Sequence, residues 1–360
     1  MRHPPGRLLG TPLSAERRRA CPGDLPRVAS RPGGSHMTSA PEFSHVPVLL
    51  GPVVDLLSAV PAGWVADCTL GGGGHAAALL EAAPQLRVLG LDRDADARAA
   101  ATERLAKFGE RVRVVAARFD ALSAVCAEQG IDELSGALFD LGVSSPQLDR
   151  PERGFSHRGA GPLDMRMDRS TGRTAAQVVN STDEAELTVI LRQGGEERFA
   201  GRVARAIIAA RPVDTTAHLA EIVRAAIPAP ARRRGGDPAN RTFQAIRIAV
   251  NDELETLRPA LEAAVDLLAV GGRLVVLAYH SGEDRIVKRT LGAATEEPTA
   301  VGRGLPIAGD SGGSADLRRL RGIPRTAPDE EIAVNRRASS VRLRGVERIR
   351  RTTPTTEGEA

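Results

Sequence analysis

The chain has 360 residues, 42% of them apolar, so it can build one large domain or two ordinary ones around a true core. Residues 1–36 hold seven arginines against two acids, a net charge of +5, whereas the whole chain carries +4. Residues 37–360 therefore carry −1, which excludes a globally basic nucleic-acid-binding protein and leaves only local basic clusters as RNA or DNA contacts.

The cysteine spacing argues against zinc sites and disulfide frameworks. Cys21, Cys68 and Cys126 are far apart, with neither a Cys-x-x-Cys pair nor a Cys/His pair at zinc spacing. No apolar stretch reaches the roughly 18 residues that span a membrane. We therefore expect a reduced, cytoplasmic protein with no metal and no membrane partner, in which Cys68 and Cys126 are small core residues.

Residues 1–40 predict a disordered basic leader, because they are rich in Arg, Pro and Gly and lack the apolar middle of a secretory signal. Beyond this leader, short apolar runs alternate with helical stretches, which is typical of a parallel sheet with right-handed crossovers. The predicted strands are Trp64–Thr69, Arg87–Asp92, Val112–Ala116 and Gly136–Leu141, and the helices between them are Ala76–Ala83, Ala95–Phe108 and Ala121–Gln129.

Four consecutive glycines, Gly71–Gly74, join the first predicted strand to the first helix, and His75 follows them. Glycine loses much backbone freedom on folding, so such a turn is typical of a site where a ligand approaches the main chain at a helix N-terminus. The second strand ends on Asp92, about 20 residues later, where open α/β folds place the acid that binds an adenosine ribose. This pairing favours a nucleoside-binding turn over a glycine-rich surface loop.

The pattern changes after the fourth strand. Residues 150–175 are loop-like, residues 182–227 are helical, and a basic linker follows at 228–236. We interpret residues 150–235 as a helical substrate-recognition subdomain inserted between the fourth and fifth strands. The later elements are a long helix over 242–268 broken at Pro259, a fifth strand at Arg273–Tyr279, a last strand within Ser339–Ile349 and a disordered tail at 351–360.

Three acids, Asp67, Asp92 and Asp140, end predicted parallel strands. Because open α/β sheets bind ligands outside the carboxyl ends of their strands, we expect these side chains to converge on one crevice. A single Asp at a strand end is more often a helix cap, but three that face one glycine turn favour a binding site.

Two other residues at the same edge allow two interpretations each. Phe119, after the third strand, either lies against an adenine ring or packs in the core. His280, after the fifth strand, either serves acid–base chemistry or substrate positioning, or belongs to an ordinary helix start capped by Ser281 and Asp284.

The glycine turn and Asp92 fit two classes of enzyme. The pattern Gly71-x-Gly73-x-x-Ala76 with Asp92 fits a nicotinamide-dependent dehydrogenase, since that fingerprint allows alanine at its last position. The same geometry fits an S-adenosylmethionine-dependent methyltransferase, whose ligand also presents an adenosine ribose. The glycine pattern alone does not decide between them.

Longer strings give a family resemblance that runs from about His45 to about Arg344. They resemble the bacterial ribosomal small-subunit RNA (cytosine-N4) methyltransferase family, RsmH or MraW. One departure is Gly282, which stands where leucine is usual. The strings are Asp67–His75, Asp140–Asp149, Arg153–Ser156, Gly161–Asp168, Gly195–Ala200, Arg241–Ala245, Asn251–Glu255 and His280–Arg289.

The resemblance implies an α/β fold: a Rossmann-like class I S-adenosylmethionine-dependent methyltransferase sheet, formed by residues 41–149 and 236–350, with the helical subdomain inserted. It implies S-adenosyl-L-methionine as cofactor and a cytosine in the decoding region of 16S rRNA as substrate, within the small ribosomal subunit or its late precursor. The implied cofactor-binding residues are Gly73, Gly74 and His75 for the methionine part, Asp92 for the ribose, Phe119 and Asp140 beside the adenine and methionine parts, and Gln147 closing the site.

Asp140 and His280 are the candidate catalytic residues. The exocyclic amine of cytosine is a poor nucleophile, because its lone pair is delocalised into the ring. The enzyme must therefore position a flipped base and accept hydrogen bonds from its amine. Eleven arginines lie between 317 and 351; those within 317–344 are candidate RNA contacts, and residues 345–360 fit a solubilising tail better. A non-catalytic ribosome-assembly factor with the same fold stays an alternative.

Overall fold

The computed structural model describes residues 47–195, 198–232, 236–295 and 316–351. The predicted leader, Arg233 and Arg234 of the basic linker, and all but the first residue of the predicted tail lie outside the described residues. The described residues all belong to one compact unit.

Among the described residues, seven strands form one sheet, and the strand predictions are confirmed to within a few residues in its parallel part. The fifth strand starts five residues earlier than predicted, at Leu268. The strands are β1 (Gly63–Asp67), β2 (Leu86–Asp92), β3 (Val112–Ala116), β4 (Leu134–Asp140), β5 (Leu268–Ala278), β6 (Leu317–Arg319) and β7 (Arg342–Arg348).

The strand order is β3-β2-β1-β4-β5-β7-β6, and β7 runs antiparallel to both of its neighbours. The other pairs, β1 with β2, β1 with β4, β2 with β3 and β4 with β5, are parallel. This order, with a reversed seventh strand inserted beside the fifth, is that of the class I S-adenosylmethionine-dependent methyltransferase sheet. The predicted fold class is therefore confirmed.

Helices cover both faces of the sheet, so its strands are apolar on both sides. Ala66 of β1 packs in one core cluster with α4, α12 and α13, and its neighbour Val65 packs in the other with α1, α2 and α3. The helices are α1 (Leu50–Ser58), α2 (Gly74–Ala82), α3 (Ala95–Leu105), α4 (Leu122–Glu128), α5 (Ser145–Asp149), α6 (Ala175–Ser181), α7 (Glu184–Gly195), α8 (Ala200–Ala209), α9 (Thr216–Ala226), α10 (Ala229–Arg232), α11 (Ala239–Asn251), α12 (Glu253–Leu267), α13 (Ser281–Thr295) and α14 (Asp329–Val334).

A third apolar cluster lies outside the sheet. It is formed by the helices α6, α7, α8 and α9, which follow β4, together with α11. Two glycines at the end of α7 allow this helix to lie directly against α11. A Cβ at Gly194 would lie 2.7 Å from the Cα of Ala245, and one at Gly195 would lie 2.5 Å from the carbonyl oxygen of Arg241. These backbone atoms cannot move aside as a side chain can.

The predicted break of the long helix at Pro259 is wrong. The break falls at Asp252, whose φ is +52°, and Pro259 lies within α12 on its exposed face. Solvent can therefore compensate for the hydrogen bond that proline omits. The side chain of Asn251 donates to the carbonyl of Met165 and accepts from the N–H of Met167, so contacts with a distant loop set the helix end.

The close approach of α7 and α11 gives a stability prediction. Gly194→Ala should lower the free energy of unfolding by about 1–3 kcal/mol, because the new methyl group overlaps backbone atoms. Gly201→Ala in α8 is the matched control, since its Cβ would have no neighbour within 3.8 Å and alanine favours a helix over glycine by roughly 0.5–1 kcal/mol. Chemical denaturation of both variants tests this, and equal stabilities would contradict the packing.

Candidate active site

A cavity of ≈ 380 Å³ lies at the carboxyl edge of β1, β2, β4 and β5. Seven of the eight predicted site residues line it, and the eighth, Gly73, lies in the same turn. The lining residues among the predictions are Gly74, His75, Asp92, Phe119, Asp140, Gln147 and His280.

Asp92 fixes the glycine turn against the end of β2. Its Oδ2 accepts the backbone N–H of Gly71 and its Oδ1 accepts that of Asp94, each at 2.8 Å. Burial raises the pKa of Asp92, and these two N–H groups oppose the shift. The side chain also lines the cavity, and its contact with a ribose stays a prediction.

Gly73 and Gly74 each pack closely against neighbouring side chains. The N–H of Gly73 donates to the carbonyl of Leu70 at 2.8 Å, and a Cβ on Gly73, whose φ is +73°, would lie 3.1 Å from Leu105 of α3. A Cβ on Gly74 would lie 2.5 Å from Pro47. The turn therefore requires glycine for close packing, and the cofactor contact predicted for Gly73 stays a prediction.

His75, Asp140 and Tyr279 form a connected group in the cavity. The Nε2 of His75 lies 3.1 Å from the carbonyl oxygen of Val48, and its Nδ1 lies 3.7 Å from Oδ2 of Asp140. The hydroxyl of Tyr279 donates to Oδ1 of Asp140 at 2.7 Å. Because a carbonyl only accepts, Nε2 carries a proton and Nδ1 faces the carboxylate. Both oxygens of Asp140 therefore have oriented neighbours.

Sequence reasoning missed Tyr279 as a site residue. Burial, and then the Asp140 carboxylate, raise the pKa of Tyr279 far above its usual value, so the hydroxyl stays a hydrogen-bond donor. The available signal was composition, since this is the one tyrosine of the chain and it directly follows β5.

Gln147 belongs to a buried polar network beside the cavity. Its Oε1 accepts the N–H of Ser144 at 3.0 Å, and its Nε2 donates to Asp94 at 2.8 Å. The same Asp94 oxygen accepts from Arg153, whose side chain is only 3% exposed. The amide of Gln147 is thus used within the protein, and its contact with the cofactor stays a prediction.

Phe119 has both of the environments that the sequence allowed. Its ring packs edge-on against Phe139 of the core, with 6.0 Å between the ring centroids, and the residue also lines the cavity. Leu257 lines the same wall. The Phe119 ring therefore packs against the core, and Phe119 and Leu257 both give the cavity apolar lining.

For the helix start at the end of β5 the sequence offered Ser281 with Asp284 as caps, and the structure shows capping contacts of His280 and Glu283. His280 Nδ1 accepts the N–H of Glu283 at 3.4 Å, while Glu283 accepts the N–H groups of Tyr279 and His280. Burial would raise the pKa of Glu283, but His280 and the charge of Arg247 hold it below its usual value. Asp284 pairs instead with Arg344 at 2.7 Å. The catalytic role of His280 stays a prediction.

Asp67 lies behind the cavity and does not line it, so only two of the three predicted acids face the crevice. It is 3% exposed and accepts the N–H of Thr69 at 3.3 Å. Burial raises the pKa of Asp67 to about 7, and the nearby carboxylates of Asp140 and Asp92 add to the rise.

The raised pKa of Asp67 makes the free energy of unfolding depend on pH. Between the usual value of 3.8 and about 7 the folded state binds more protons than the unfolded state, so stability should fall as pH rises through this window. Asp67→Asn keeps the acceptor for the N–H of Thr69 and removes the charge. Between pH 5 and pH 8 the free energy of unfolding of this variant should therefore fall by roughly 2–3 kcal/mol less than that of the wild type. Denaturant titrations at both pH values test this, and parallel losses would contradict it.

Most arginines between 317 and 351 have partners within the protein. Arg318 pairs with Glu347 at 3.0 Å, Arg337 with Asp149 at 2.7 Å, and Arg319 donates to Thr295. Within the described ranges, four have no side-chain hydrogen bond or ion pair. These four are Arg321, Arg325, Arg336 and Arg350.

The family model described as MraW methylase family matches residues 42–349. The chain belongs to this family. Its relatives include proteins named ribosomal RNA small subunit methyltransferase H from Thermobifida fusca, 49% identical over 91% of this chain and 99% of that protein, and from Frankia alni, 52% identical over 87% and 99%. The family resemblance read from the sequence is confirmed, and the dehydrogenase and the non-catalytic assembly factor are without support.

Among solved structures, an rRNA methylase from Streptococcus thermophilus aligns with 82% of this chain and 94% of its own, with 13% identity and a TM-score of 0.38. A likeness of this size carries no argument about function. Within the ranges that the structure describes, no helix has the length and apolar character to cross a membrane. The same ranges contain no group of three His, Cys, Asp or Glu side chains placed to hold a metal ion.

Proposed function

We propose that this chain transfers a methyl group from S-adenosyl-L-methionine to N4 of a cytosine in the decoding region of 16S rRNA. The activity is supported by membership of the MraW methylase family. Relatives at about 50% identity are named small-subunit rRNA methyltransferases. The chain is thus an enzyme, a small-subunit rRNA methyltransferase. The substrate is rRNA within the small subunit or its late precursor, and the enzyme acts in the cytoplasm, where subunits are assembled.

The residues of the cavity fit the cofactor. The cavity has the size of a small-molecule site, and its walls combine the glycine turn, one oriented carboxylate and an apolar ring. Asp92 would accept the ribose hydroxyls, Phe119 would face the adenine, and Gly74 and His75 at the start of α2 would hold the methionine part. When bound, S-adenosylmethionine would supply an electrophilic methyl group on a sulfonium sulfur, and that sulfur would keep the electrons of the broken carbon–sulfur bond.

Asp140 is placed to orient the amine of the target base. Its side chain is 26% exposed at the cavity, and Tyr279 holds one of its oxygens. A carboxylate accepts hydrogen bonds from the N4 amine of cytosine, which aligns the nitrogen for the transfer. N4 loses one proton after methylation, and Asp140 is the acceptor at hand. The site therefore works mainly by positioning.

The helical segment between β4 and α11 is the part that we assign to RNA recognition. Its loop lies at the edge of the cavity, where Met167 is one of the lining residues. Arg153 joins this segment to the sheet by donating to Asp94 and to the carbonyl oxygens of Arg166 and Met167. A subdomain fastened in this way can present a flipped base to Asp140.

Asp92→Ala should weaken binding of S-adenosylhomocysteine by about 1–3 kcal/mol, because the ribose hydroxyls lose their acceptor and the glycine turn loses its brace. Asp266→Ala, which removes an exposed acid of α12, is the control and should bind as the wild type does. Isothermal titration calorimetry on folded proteins measures both. An unchanged affinity for the Asp92 variant would refute this position of the adenosine.

The activity itself is tested on undermethylated small subunits. Incubation with the protein and S-adenosylmethionine should produce N4-methylcytidine in 16S rRNA, which nucleoside mass spectrometry detects. Binding of NAD in preference to S-adenosylhomocysteine would contradict the proposal. Folded protein that leaves every cytidine of 16S rRNA unmethylated would also contradict it.

A further inference from the structure

Residues 320–341 connect β6 to β7, and we call this segment the strap. Its apolar residues pack on the core cluster that includes Leu277 of β5: Ala327, Ala338 and Val341 are buried, and Ile323 and Ile332 pack against the same cluster. The strap is therefore a fixed wall of the molecule.

Two polar contacts fasten the strap beside the candidate active site. Glu331 of α14 accepts the backbone N–H of Leu49, next to the carbonyl of Val48 that faces His75. Arg337 donates to the hydroxyl of Ser145 and to Asp149 of α5, the helix that follows β4. Because Arg337 and Ser340 line the cavity, the strap forms one side of its mouth.

The structure separates the arginines of this region into two groups. Those on the two strands are mostly used within the protein, as Arg318 is with Glu347 and Arg344 is with Asp284. Three arginines of the strap, Arg321, Arg325 and Arg336, are exposed and make no side-chain hydrogen bond or ion pair within the part of the chain that the structure describes.

Because these three side chains have no partner among the described residues, no hydrogen bond or ion pair to that part of the chain must break before they bind a ligand. The acids of the strap have roles within the fold. Glu331 accepts the backbone N–H of Leu49, and Asp329 and Glu330 lie in the first turn of α14, where negative charge stabilises a helix. Val334, at the end of α14, is 88% exposed and adds an apolar contact beside Arg336. Guanidinium groups exposed on a segment that borders the cavity through Arg337 and Ser340 match phosphodiester groups.

We propose that the strap is an RNA-binding surface, in which Arg321, Arg325 and Arg336 hold phosphates next to the target cytosine. The paired arginines of β6 and β7 contribute little to RNA affinity, although they add equally to the formal charge. This inference rests on the proposed function and assigns the RNA contact to one segment of the same site.

Single variants with matched charge test the inference. Arg336→Gln and Arg325→Gln should each reduce the slope of log affinity against log salt by about 1 for undermethylated small subunits, and the triple variant should bind about tenfold more weakly near physiological salt. Arg318→Gln removes the same charge from an exposed but paired arginine of β6, so it should leave the slope unchanged. Affinity for S-adenosylhomocysteine should stay within about twofold in every variant, and thermal unfolding checks the fold.

Equal slopes for Arg336→Gln and Arg318→Gln would overturn the inference, because the effect would then follow only total charge. Loss of binding to assembled subunits with unchanged binding to protein-free 16S rRNA would also overturn it, since the partner of the strap would then be a ribosomal protein. Methylation of the same subunits by the wild type is the reference. If the wild type methylates them, the proposed function holds, and the variants then test the RNA-binding role of the strap alone.

Discussion

One carboxylate organises the candidate site. Asp92 accepts the N–H of Gly71 with one oxygen and that of Asp94 with the other, so it fixes both the glycine turn after β1 and the start of α3 after β2. Asp94 in turn caps α3 by accepting the N–H of Asp96. Two adjacent strand ends therefore share a single hydrogen-bonded corner, against which a nucleoside can be held.

The inserted helical segment is attached to this same corner by buried polar contacts. Arg153 and Gln147 both donate to Asp94, and all three side chains are 5% exposed or less. Asn251 bonds the backbone on both sides of Arg166. Removing one partner of a buried charge pair leaves the other uncompensated, so these contacts fix the orientation of the insert relative to the cavity. The glycine turn, the start of α3 and the helical segment thus share one connected hydrogen-bond network.

The sequence was most informative where a local pattern of residues determines the structure. Alternating apolar runs predicted the parallel strands, and the rule that ligands bind at their carboxyl ends placed Asp92 and Asp140 in one cavity. Contacts between distant segments could not be predicted. Asn251 ends α11 by bonding a loop that lies 84 residues earlier, so the break could not be read from Pro259.

The same limit applies to side chains whose roles depend on burial. The Tyr279 hydroxyl reaches Asp140 across 139 positions of sequence, and no local pattern encodes that pairing. His280 looked like one of several polar residues at a strand end, whereas the structure makes it a helix cap with Glu283. The arginines between 317 and 351 formed one basic cluster in sequence, and only the fold distinguishes those that have a side-chain partner among the described residues from those that have none there.

The most direct test of the central claim is a crystal structure of this chain with S-adenosylhomocysteine. We expect the ribose hydroxyls at the Asp92 carboxylate, the adenine beside Phe119 and the sulfur on the Asp140 side of the cavity. A nucleoside seated elsewhere, such as in the second cavity lined by Arg98 and residues 166–172, with the glycine turn uncontacted, would contradict the account.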